Sequence, residues 1–413
     1  MSESPSEAYV WTWLPGADEP VVAGRIEAAG SIFFFNYGQS FLRNTNAVPL
    51  YEPELPLRSG QIRPLASLEI AGCFSDASPD AWGQRVVMHR LLGSSPRDVD
   101  PAQLSPLTYL LESGSDRIGA LDFQTSATEY IARGGAASLE ELLQAAERVE
   151  SGVPFSMELD GALLHGSSIG GARPKALLND GDRKLIAKFS SSMDSYPIVK
   201  GEYAAMALAH RVGLDVARVE LVQALGKDVL IVERFDRGWG TNERRSVISA
   251  LTILELGEMF ARYATYPDLA DQMRSRFVGG DAAARELFSR IVFNILVGNT
   301  DDHARNHAAF WDGRDLELTP AYDICPQLRA GGETAQAMAI GRDGFRLSQL
   351  AGCVKAAAEY LLSESEARLI IDHQVEVIEA EWSEVADDAT MTEADRQYFL
   401  RRQFLNPFAF EGY

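Results

Sequence analysis

Short runs of aromatic and β-branched residues, separated by Gly, Asp and Pro, dominate the first forty positions, and such runs are typical of β-strands. The runs span residues 9–14, 20–26 and 31–35. Helical spacing follows, first over 81–92 and later over 138–149. In the later stretch the apolar residues share one helix face. Ser138 is followed three positions later by Glu141, which predicts a capping box at the start of that helix.

Strand patterns return in the middle of the chain. The predicted strands are residues 175–178, 184–189 and 227–235. The first two are joined by Asn-Asp-Gly-Asp, a strong hairpin signal, and a helix is predicted over 200–212 with Gly213 just beyond its end. From about Trp239 the pattern is helical almost to the end. A β-rich lobe followed by a helical lobe predicts an α+β fold, with a ligand cleft between the lobes.

The composition narrows the class of protein. With 413 residues the chain is long for one hydrophobic core, and its 46% hydrophobic and 23% charged residues are typical of a globular protein. It contains no run of 18 apolar residues and does not begin with a basic segment followed by an apolar one. We therefore expect a cytoplasmic protein that does not span a membrane.

The cysteines and the net charge argue against a disulfide-bonded or zinc-binding protein and against direct binding of nucleic acid. Cys73, Cys325 and Cys353 form no C-x-x-C pair, which argues against a disulfide framework and a cysteine zinc site. A formal net charge of −21 predicts a surface that repels nucleic acid. Any contact with DNA is therefore expected to come through a partner protein.

The segment Gly166-Ser-Ser-Ile-Gly-Gly-Ala-Arg-Pro-Lys175 carries glycines immediately before a predicted strand. Glycine lets the backbone turn sharply and bring its N–H groups close to phosphate oxygens. The segment is not a Walker A loop, because Ala172 occupies the place of the Lys-Ser/Thr pair. Taken alone, it is more typical of a plain glycine turn than of a phosphate loop.

Lys188 interrupts the otherwise apolar run 185–189, so we expect its ammonium group to point into the structure, where it needs a partner. Kinases use such a strand lysine to hold nucleotide phosphates, with a helix glutamate as counter-ion. Glu202, on the helix face of Met206, can supply that carboxylate. The alternative is an edge-strand lysine that reaches solvent. The strand 230–237 can offer backbone groups to an adenine ring, or can simply end at a surface turn.

Phosphoryl transfer to an alcohol needs a carboxylate to accept the hydroxyl proton and an amide oxygen to help hold Mg²⁺. Protein kinases space these residues as Asp-x-x-x-x-Asn. Asp301 and Asn306 have this spacing, whereas Asp302 is one residue too close. Further on, an apolar run beginning at Leu318 ends in Asp323, a carboxylate suited to binding the metal. Each feature alone also fits a solvated acidic turn.

The order of these features is that of a protein-kinase site: glycine loop, strand lysine, helix glutamate, linker strand, Asp-x-x-x-x-Asn and metal aspartate. The chain resembles the HipA kinases, the toxins of bacterial HipBA toxin–antitoxin modules. The segments that carry the resemblance are Ser168-Ile-Gly-Gly-Ala-Arg-Pro-Lys-Ala-Leu-Leu, Ala187-Lys-Phe, Glu202-Tyr, Val232-Glu-Arg-Phe-Asp-Arg, Thr300-Asp-Asp-His-Ala-Arg-Asn and Leu318-Thr-Pro-Ala-Tyr-Asp-Ile. The resemblance is specific over about 160–326 and looser before it. Residues 246–255 depart from the usual family sequence.

The resemblance implies a two-lobed, protein-kinase-like α+β fold. The expected parts are an N-terminal subdomain (1–150), a β-rich kinase N-lobe (151–238) and an all-helical C-lobe (239–413). It also implies ATP and Mg²⁺ as cofactors, Asp301 as catalytic base, and Asn306 and Asp323 as metal ligands. The residues expected to contact ATP or brace its site are Ser168, Ile169, Gly170, Gly171, Ala172, Lys188, Glu202, Glu233, Phe235 and His303.

Ser168 matches the serine that these kinases autophosphorylate, with the adjacent Ser167 as the alternative. A phosphate adds a charge of about −1.5 to −2 to the loop that binds the ATP phosphates, so it should switch the enzyme off. The resemblance further implies a HipB-like helix-turn-helix antitoxin that carries the DNA contact. The implied substrate is an aminoacyl-tRNA synthetase, although nothing in the sequence selects one.

Two other functions stay open at the sequence level. His303 and His307 are four residues apart and, with Asp301 or Asp323, could form the site of a metal-dependent hydrolase. Against this, no Glu follows His303 as in H-E-x-x-H, and Lys188 is left unexplained. The other alternative is a non-catalytic scaffold or corepressor that acts with an antitoxin.

Overall fold

A computed structural model of the chain describes residues 5–65, 68–92, 100, 103–134, 138–151, 173–191, 194–329 and 332–413. The strands are β1 Glu7–Trp13, β2 Pro20–Ala29, β3 Ile32–Tyr37, β4 Leu121–Gln124, β5 Lys175–Asp180, β6 Arg183–Phe189, β7 Val219–Ala224, β8 Lys227–Glu233, β9 Ser246–Ser249, β10 Ala308–Trp311 and β11 Leu316–Leu318. The described strands form three sheets, ordered β3-β2-β1-β4, β5-β6-β8-β7 and β11-β10-β9.

The α-helices of the described residues are α1 Gln39–Leu42, α2 Gly72–Asp76, α3 Ala81–Leu92, α4 Pro106–Glu112, α5 Leu139–Ser151, α6 Ile198–Arg211, α7 Ala250–Ile253, α8 Tyr266–Arg276, α9 Gly280–Val297, α10 Leu350–Ala356, α11 Glu364–Asp388 and α12 Glu393–Phe399. Short 3-10 helices lie at Glu258–Tyr263, Ala304–Asn306, Ala357–Tyr360 and Pro407–Phe410. Both strands and helices are therefore well represented, as the sequence predicts.

Elements with strong local signals form where they were predicted. The three N-terminal runs become β1, β2 and β3, and α3 has the predicted bounds. The capping box before α5 is confirmed, because the Ser138 amide donates to Glu141 Oε2 at 2.8 Å. In return the Glu141 amide donates to Ser138 Oγ at 3.2 Å.

The predicted hairpin at residues 179–182 is also confirmed. β5 and β6 pair in antiparallel register as far as Asp180 and Arg183, and Gly181 takes a φ of 58° in the turn. At that value a Cβ atom would be strained, which explains the glycine. Gly213 follows α6 with a φ of 87°, and its amide donates to the His210 carbonyl at 3.1 Å.

The region after Trp239 is mainly helical but not wholly so. The expected all-helical C-terminal lobe contains β9, β10 and β11, which have four, four and three residues. Runs this short give no readable alternation, and in β10 all four residues are buried, so period-2 patterning is absent. β4 was missed for the same reason, since its four residues are all buried. β7 has six residues, and their burial likewise shows no alternation.

The described residues divide into two compact units. The first is drawn from Met1–Ser192, Gln223–Ile248 and Phe310–Arg314, and the second from Met193–Val222, Ser249–Ala309 and Asp315–Tyr413. The predicted domain boundaries at residues 150 and 238 stay a prediction.

The core of the second unit is built around α9. Its residues Leu287, Phe288, Ile291, Val292, Phe293, Ile295 and Leu296 have no exposed surface. A helix that is apolar on most faces must lie inside the protein, and each such side chain contributes about 1.5–3 kcal/mol through its burial. A well-buried helix gives the loop that follows its C-terminus a rigid base.

Candidate active site

The loop that carries the Asp-x-x-x-x-Asn pattern begins at the C-terminus of α9. Gly298 ends the helix in the left-handed region with a φ of 73°, and a Cβ at this position would lie 2.8 Å from the Gln403 carbonyl oxygen. Next to it, Asn299 Nδ2 donates to Asn294 Oδ1 at 2.9 Å. The Gln327 amide donates to the Gly298 carbonyl at 2.9 Å. Backbone geometry and buried hydrogen bonds therefore fix where the loop starts.

Asp302 closes this loop on itself. Its Oδ2 atom lies 2.9 Å from His307 Nε2 and accepts a 2.6 Å hydrogen bond from the Tyr266 hydroxyl. All three side chains are buried. Hydrogen bonds to a charged group contribute about 1.5–3 kcal/mol each, and their loss inside a protein costs at least as much. The contact between residues 302 and 307 ties together the two sides of the Asp301–Asn306 segment.

Tyr266 reaches Asp302 because of how α8 begins. Thr265 caps the helix by accepting a hydrogen bond from the Asp268 amide at 3.1 Å. Pro267 stands in the first turn, where its missing N–H costs nothing. Tyr266 is thereby fixed as the first residue of the helix, and its ring meets the His307 ring edge-on at 5.8 Å.

Adjacent aspartates in the loop have opposite pKa shifts. Partial loss of hydration raises the pKa of Asp301, and Asp323 and Asp302 raise it further, while His303 opposes them. For Asp302, burial would raise the pKa, but His307 and Tyr266 outweigh it and hold the pKa below its usual range. Asp301 is exposed, so it is the stronger base of the pair and the one that solvent can reach.

Asn306 is held against Asp301. Its Nδ2 atom donates to the Asp301 carbonyl at 3.1 Å, and the residue is 8% exposed. This hydrogen bond uses the donor side of the amide and leaves Oδ1 as the side that can accept or coordinate. An amide oxygen and a carboxylate are hard donors suited to Mg²⁺, which usually takes one or two protein ligands besides phosphate and water.

Asp323 lies on a segment that is fixed on both sides. The Ala321 amide donates to the Asp215 carbonyl at 2.8 Å, and the Tyr322 hydroxyl donates to the Arg305 carbonyl in the loop at 2.7 Å. Asp323 itself has a φ of 59°, a left-handed conformation that aspartate tolerates better than most residues. Its carboxylate is near enough to Asp301 to raise the pKa of that residue.

His303 and His307 both take part in hydrogen bonds that hold the loop in shape. His307 Nε2 is engaged by Asp302 within the core. His303 lies inside the loop, where its backbone amide donates to the Asp301 carbonyl at 2.9 Å and its own carbonyl accepts from the Asn306 amide at 2.8 Å. Within the described ranges, no group of three or more His, Cys, Asp or Glu side chains is arranged to hold a metal ion.

The first unit carries the predicted nucleotide-binding strands. Lys188 lies in β6, opposite Lys175 in β5 and Leu230 in β8. Lys175 is buried and bonds to Asp80 at 2.9 Å. Glu233 in β8 lies opposite Leu185 in β6. The hydrogen bond to β6 comes from the next residue, since the Arg234 amide donates to the Lys184 carbonyl at 2.9 Å. The peptide groups of Glu233 therefore face away from β6, as strand alternation requires.

The remaining predicted residues divide into two groups. Phe235 follows β8 and packs its ring against Phe310 at 5.7 Å. Glu202 is buried on α6 in the second unit. Ser167, Ser168, Ile169, Gly170, Gly171 and Ala172 lie outside the described residues. The structure thus brings together Asp301, His303, Asn306 and Asp323, and their roles stay predictions.

Tyr266 and the buried state of Asp302 were not anticipated from the sequence. They are separated from each other by 36 positions, so no local pattern connects them. The one usable signal was the Thr-Tyr-Pro-Asp segment at residues 265–268, which marks a helix start and places a tyrosine in its first turn.

Two models of known protein families match this chain. The family model described as HipA-like C-terminal domain matches residues 167–382, more than half of the chain. The model described as HipA N-terminal domain matches residues 18–124. The chain belongs to the HipA family. The predicted family membership is therefore confirmed, and the matches cover β2, β3 and β4 as well as the loop at Asp301.

Individual HipA relatives are distant in sequence. Y4mE of Sinorhizobium fredii, whose name suggests a kinase, is 28% identical over 313 residues, which is 70% of this chain and 71% of that protein. The serine/threonine-protein kinase toxin HipA of Shewanella oneidensis is 28% identical over 214 residues, 45% of this chain and 48% of the toxin.

A solved complex of Shewanella oneidensis HipA with HipB and its operator DNA matches this HipA chain in structure. The TM-score is 0.67 at 21% identity, and the match covers 97% of this chain and 99% of that one. The match confirms the α+β, kinase-like fold. In the part of the chain that the structure describes, no helix is both long and apolar enough to cross a membrane.

Proposed function

We propose that this protein is an ATP- and Mg²⁺-dependent serine/threonine protein kinase that acts in the cytoplasm as the toxin of a toxin–antitoxin pair. The observation that supports it most directly is that Asp301 and Asn306 lie on one braced loop, with Asp323 on a neighbouring segment that is bonded to that loop. The pKa of Asp301 is raised first by partial burial and further by Asp323, and Asn306 is bonded to the Asp301 carbonyl. Relatives named as kinases agree with this function.

Asp301 is the proposed catalytic base. Its carboxylate accepts the proton of a serine or threonine hydroxyl while the hydroxyl oxygen forms a bond to the γ-phosphorus and the bond to the leaving ADP oxygen breaks. A raised pKa suits this role, because a general base works best when its pKa approaches the working pH. Asp302 is unsuited to it, since its carboxylate is buried and already bonded to Tyr266 and His307.

Asn306 and Asp323 are the proposed metal ligands. The amide oxygen of Asn306 and the carboxylate of Asp323 offer the oxygen donors that Mg²⁺ prefers. When bound, Mg²⁺ and ATP supply the transferable phosphoryl group and neutralise the charge that develops on it. By holding the metal, these two side chains would help to position the phosphates for attack by the acceptor hydroxyl.

The nucleotide-binding part of the proposal rests on the first unit and on α6. Lys188 is proposed to contact the ATP phosphates, with Glu202 as the carboxylate that supports this role. Glu233 and Phe235 are proposed to offer main-chain groups to adenine, and the Glu233 peptide groups are not used in pairing with β6, which agrees with this. The glycine segment at residues 168–172 is proposed to cover the phosphates.

Regulation and partners extend the proposal. Autophosphorylation at Ser168 would place negative charge in the phosphate loop and inactivate the enzyme. The proposed antitoxin is a small helix-turn-helix protein that carries the DNA contact, and the solved Shewanella complex of HipA with HipB and operator DNA agrees with such a partner. The proposed target is an aminoacyl-tRNA synthetase.

The proposal is tested by mass spectrometry of the protein expressed alone and by labelling a host lysate with [γ-³²P]ATP. We expect phosphate on Ser168, rather than Ser167, in the wild type and none in Asp301→Asn. We also expect a labelled synthetase band that depends on Asp301. A wild-type protein that neither gains phosphate nor binds Mg-ATP would contradict the kinase function and leave the non-catalytic scaffold and the metal-dependent hydrolase as alternatives.

A further inference from the structure

Arg234 lies between the two residues proposed to contact adenine, and its side chain points into the protein. The guanidinium has no exposed surface. Its Nε and Nη2 atoms bond to Asp236 Oδ1 and Oδ2 at 2.9 and 2.8 Å. Nη1 donates to Asp116 Oδ1 at 2.9 Å. Arginine's planar fork is thus used on two carboxylates at once, which fixes both its position and its orientation.

The second of these carboxylates comes from far away in the chain. Asp116 is 118 residues before Arg234 and lies in the part that matches the HipA N-terminal domain, 18–124. Arg234 lies in the part that matches the HipA-like C-terminal domain. Both residues belong to the first compact unit, so the contact is internal to it.

Other groups of the N-terminal part hold the same short linker. The Arg117 carbonyl accepts from Arg234 Nη2 at 2.6 Å, and the Gly119 amide donates to Asp236 Oδ2 at 2.8 Å. Asp116 also accepts from Arg237 Nη2 at 2.7 Å. The linker 234–237 is therefore bonded through both its arginines and its aspartate to the segment 116–119.

Both carboxylates of this cluster, Asp116 and Asp236, are held in the ionised form. Burial would raise the pKa of Asp116, but Arg234, Arg237 and Arg244 outweigh it and hold the pKa well below the usual range. Asp236 is likewise kept ionised by Arg234 and Arg237 against the effect of its burial. Buried charges that are matched this closely keep one geometry, because any displacement leaves a charge without its partner.

We propose that Asp116 is a positioning residue for nucleotide binding: through Arg234 it sets the backbone of residues 233–235 that would receive adenine. The inference rests on the proposed kinase function. It makes the N-terminal domain part of the nucleotide site instead of an appended module. Glu233 and Phe235 flank Arg234 directly, so a shift of the arginine moves the main-chain groups on both of its sides.

The test compares three variants of the full-length protein. Asp116→Asn removes the charge but keeps the size and one oxygen acceptor, and Asp116→Glu keeps the charge. Glu54→Gln is the control, since Glu54 is an acid of the N-terminal part that also accepts hydrogen bonds, here from the Gly72 and Cys73 amides. The measurements are the Kd for Mg-ATP by calorimetry and the hydrogen exchange of the 233–237 amides in ligand-free protein.

For Asp116→Asn we expect Mg-ATP to bind on the order of tenfold more weakly, with faster exchange at residues 233–237 and little change of kcat at saturating ATP. Asp116→Glu should recover most of the affinity, and Glu54→Gln should leave the Kd unchanged. An unchanged Kd in Asp116→Asn, or an equal loss in Glu54→Gln, would overturn the inference while the kinase function stands. A wild type that binds no Mg-ATP would remove both.

Discussion

The carboxylate of Asp302 lies 2.9 Å from the His307 ring nitrogen. Both side chains are buried, and Asp302 directly follows the proposed catalytic base. This contact joins the residue after Asp301 to the residue after Asn306. It therefore fixes the separation of the two groups on which the proposed chemistry depends. The Tyr266 hydroxyl bonds to the same Asp302 oxygen from α8.

Tyr266→Phe removes one hydrogen bond to a buried charge. We expect the free energy of unfolding to fall by about 1.5–3 kcal/mol. The loosened loop should lower kcat roughly tenfold to a hundredfold, with a smaller change in the KM for ATP. Urea unfolding and steady-state kinetics measure the two effects.

Tyr360→Phe is the matched control for this change. The Tyr360 hydroxyl is also buried, but it donates to the neutral Ile340 carbonyl at 2.6 Å. Its removal should cost about 1 kcal/mol and leave kcat unchanged. Equal losses of kcat in the two variants would show that the contact with Asp302 has no special role.

Gly298 should tolerate no side chain. In Gly298→Ala the Cβ would meet the Gln403 carbonyl oxygen at 2.8 Å in a left-handed backbone conformation. We expect the free energy of unfolding to fall by about 2–4 kcal/mol, the sum of backbone strain and overpacking.

A glycine at the other end of α9 allows the effect of backbone strain to be separated from that of overpacking. Gly279 has a φ of 62° but no atom within 4 Å of a built Cβ, so Gly279→Ala carries only the backbone strain of about 1 kcal/mol. Urea unfolding of both variants gives the comparison. If Gly298→Ala is no less stable than Gly279→Ala, the close packing against Gln403 does not matter.

Glu54 should make stability depend on pH. Its burial raises the pKa to about 7, although the Gly72 and Cys73 amides oppose the shift. Because the folded pKa lies above the unfolded value of about 4.5, the stabilisation is complete below pH 4.5 and is lost as the pH rises through 7. This group should lower the free energy of unfolding by about 3 kcal/mol over that interval. Urea unfolding between pH 4.5 and 8 should show a flatter profile for Glu54→Gln, and identical profiles would contradict the assignment.

Local patterns in the sequence sufficed where the cause of a structure is local. The capping box at Ser138, the hairpin turn at Gly181 and the helix end at Gly213 were all predicted, because each depends on residues a few positions apart. The spacing of Asp301 and Asn306 predicted a catalytic role for this loop, and that role stays a prediction. The burial of Asp302 could not be read from the spacing.

Contacts between distant segments were beyond such reasoning. Asp302 and Tyr266 are 36 positions apart and Asp116 and Arg234 are 118 apart, and no periodicity or turn signal connects them. The family resemblance supplied the proposed roles of the site residues, but it did not supply the groups that hold them in place.

The proposed base is tested most directly by the rate of phosphate transfer from [γ-³²P]ATP with the wild type, Asp301→Asn and the surface control Asp281→Asn. The account predicts transfer by the wild type and by Asp281→Asn. In Asp301→Asn it predicts a loss of at least about 100-fold with an unchanged fold by circular dichroism. Transfer by Asp301→Asn at the wild-type rate would contradict the assignment of the base, and a wild type that transfers no phosphate would contradict the kinase function itself.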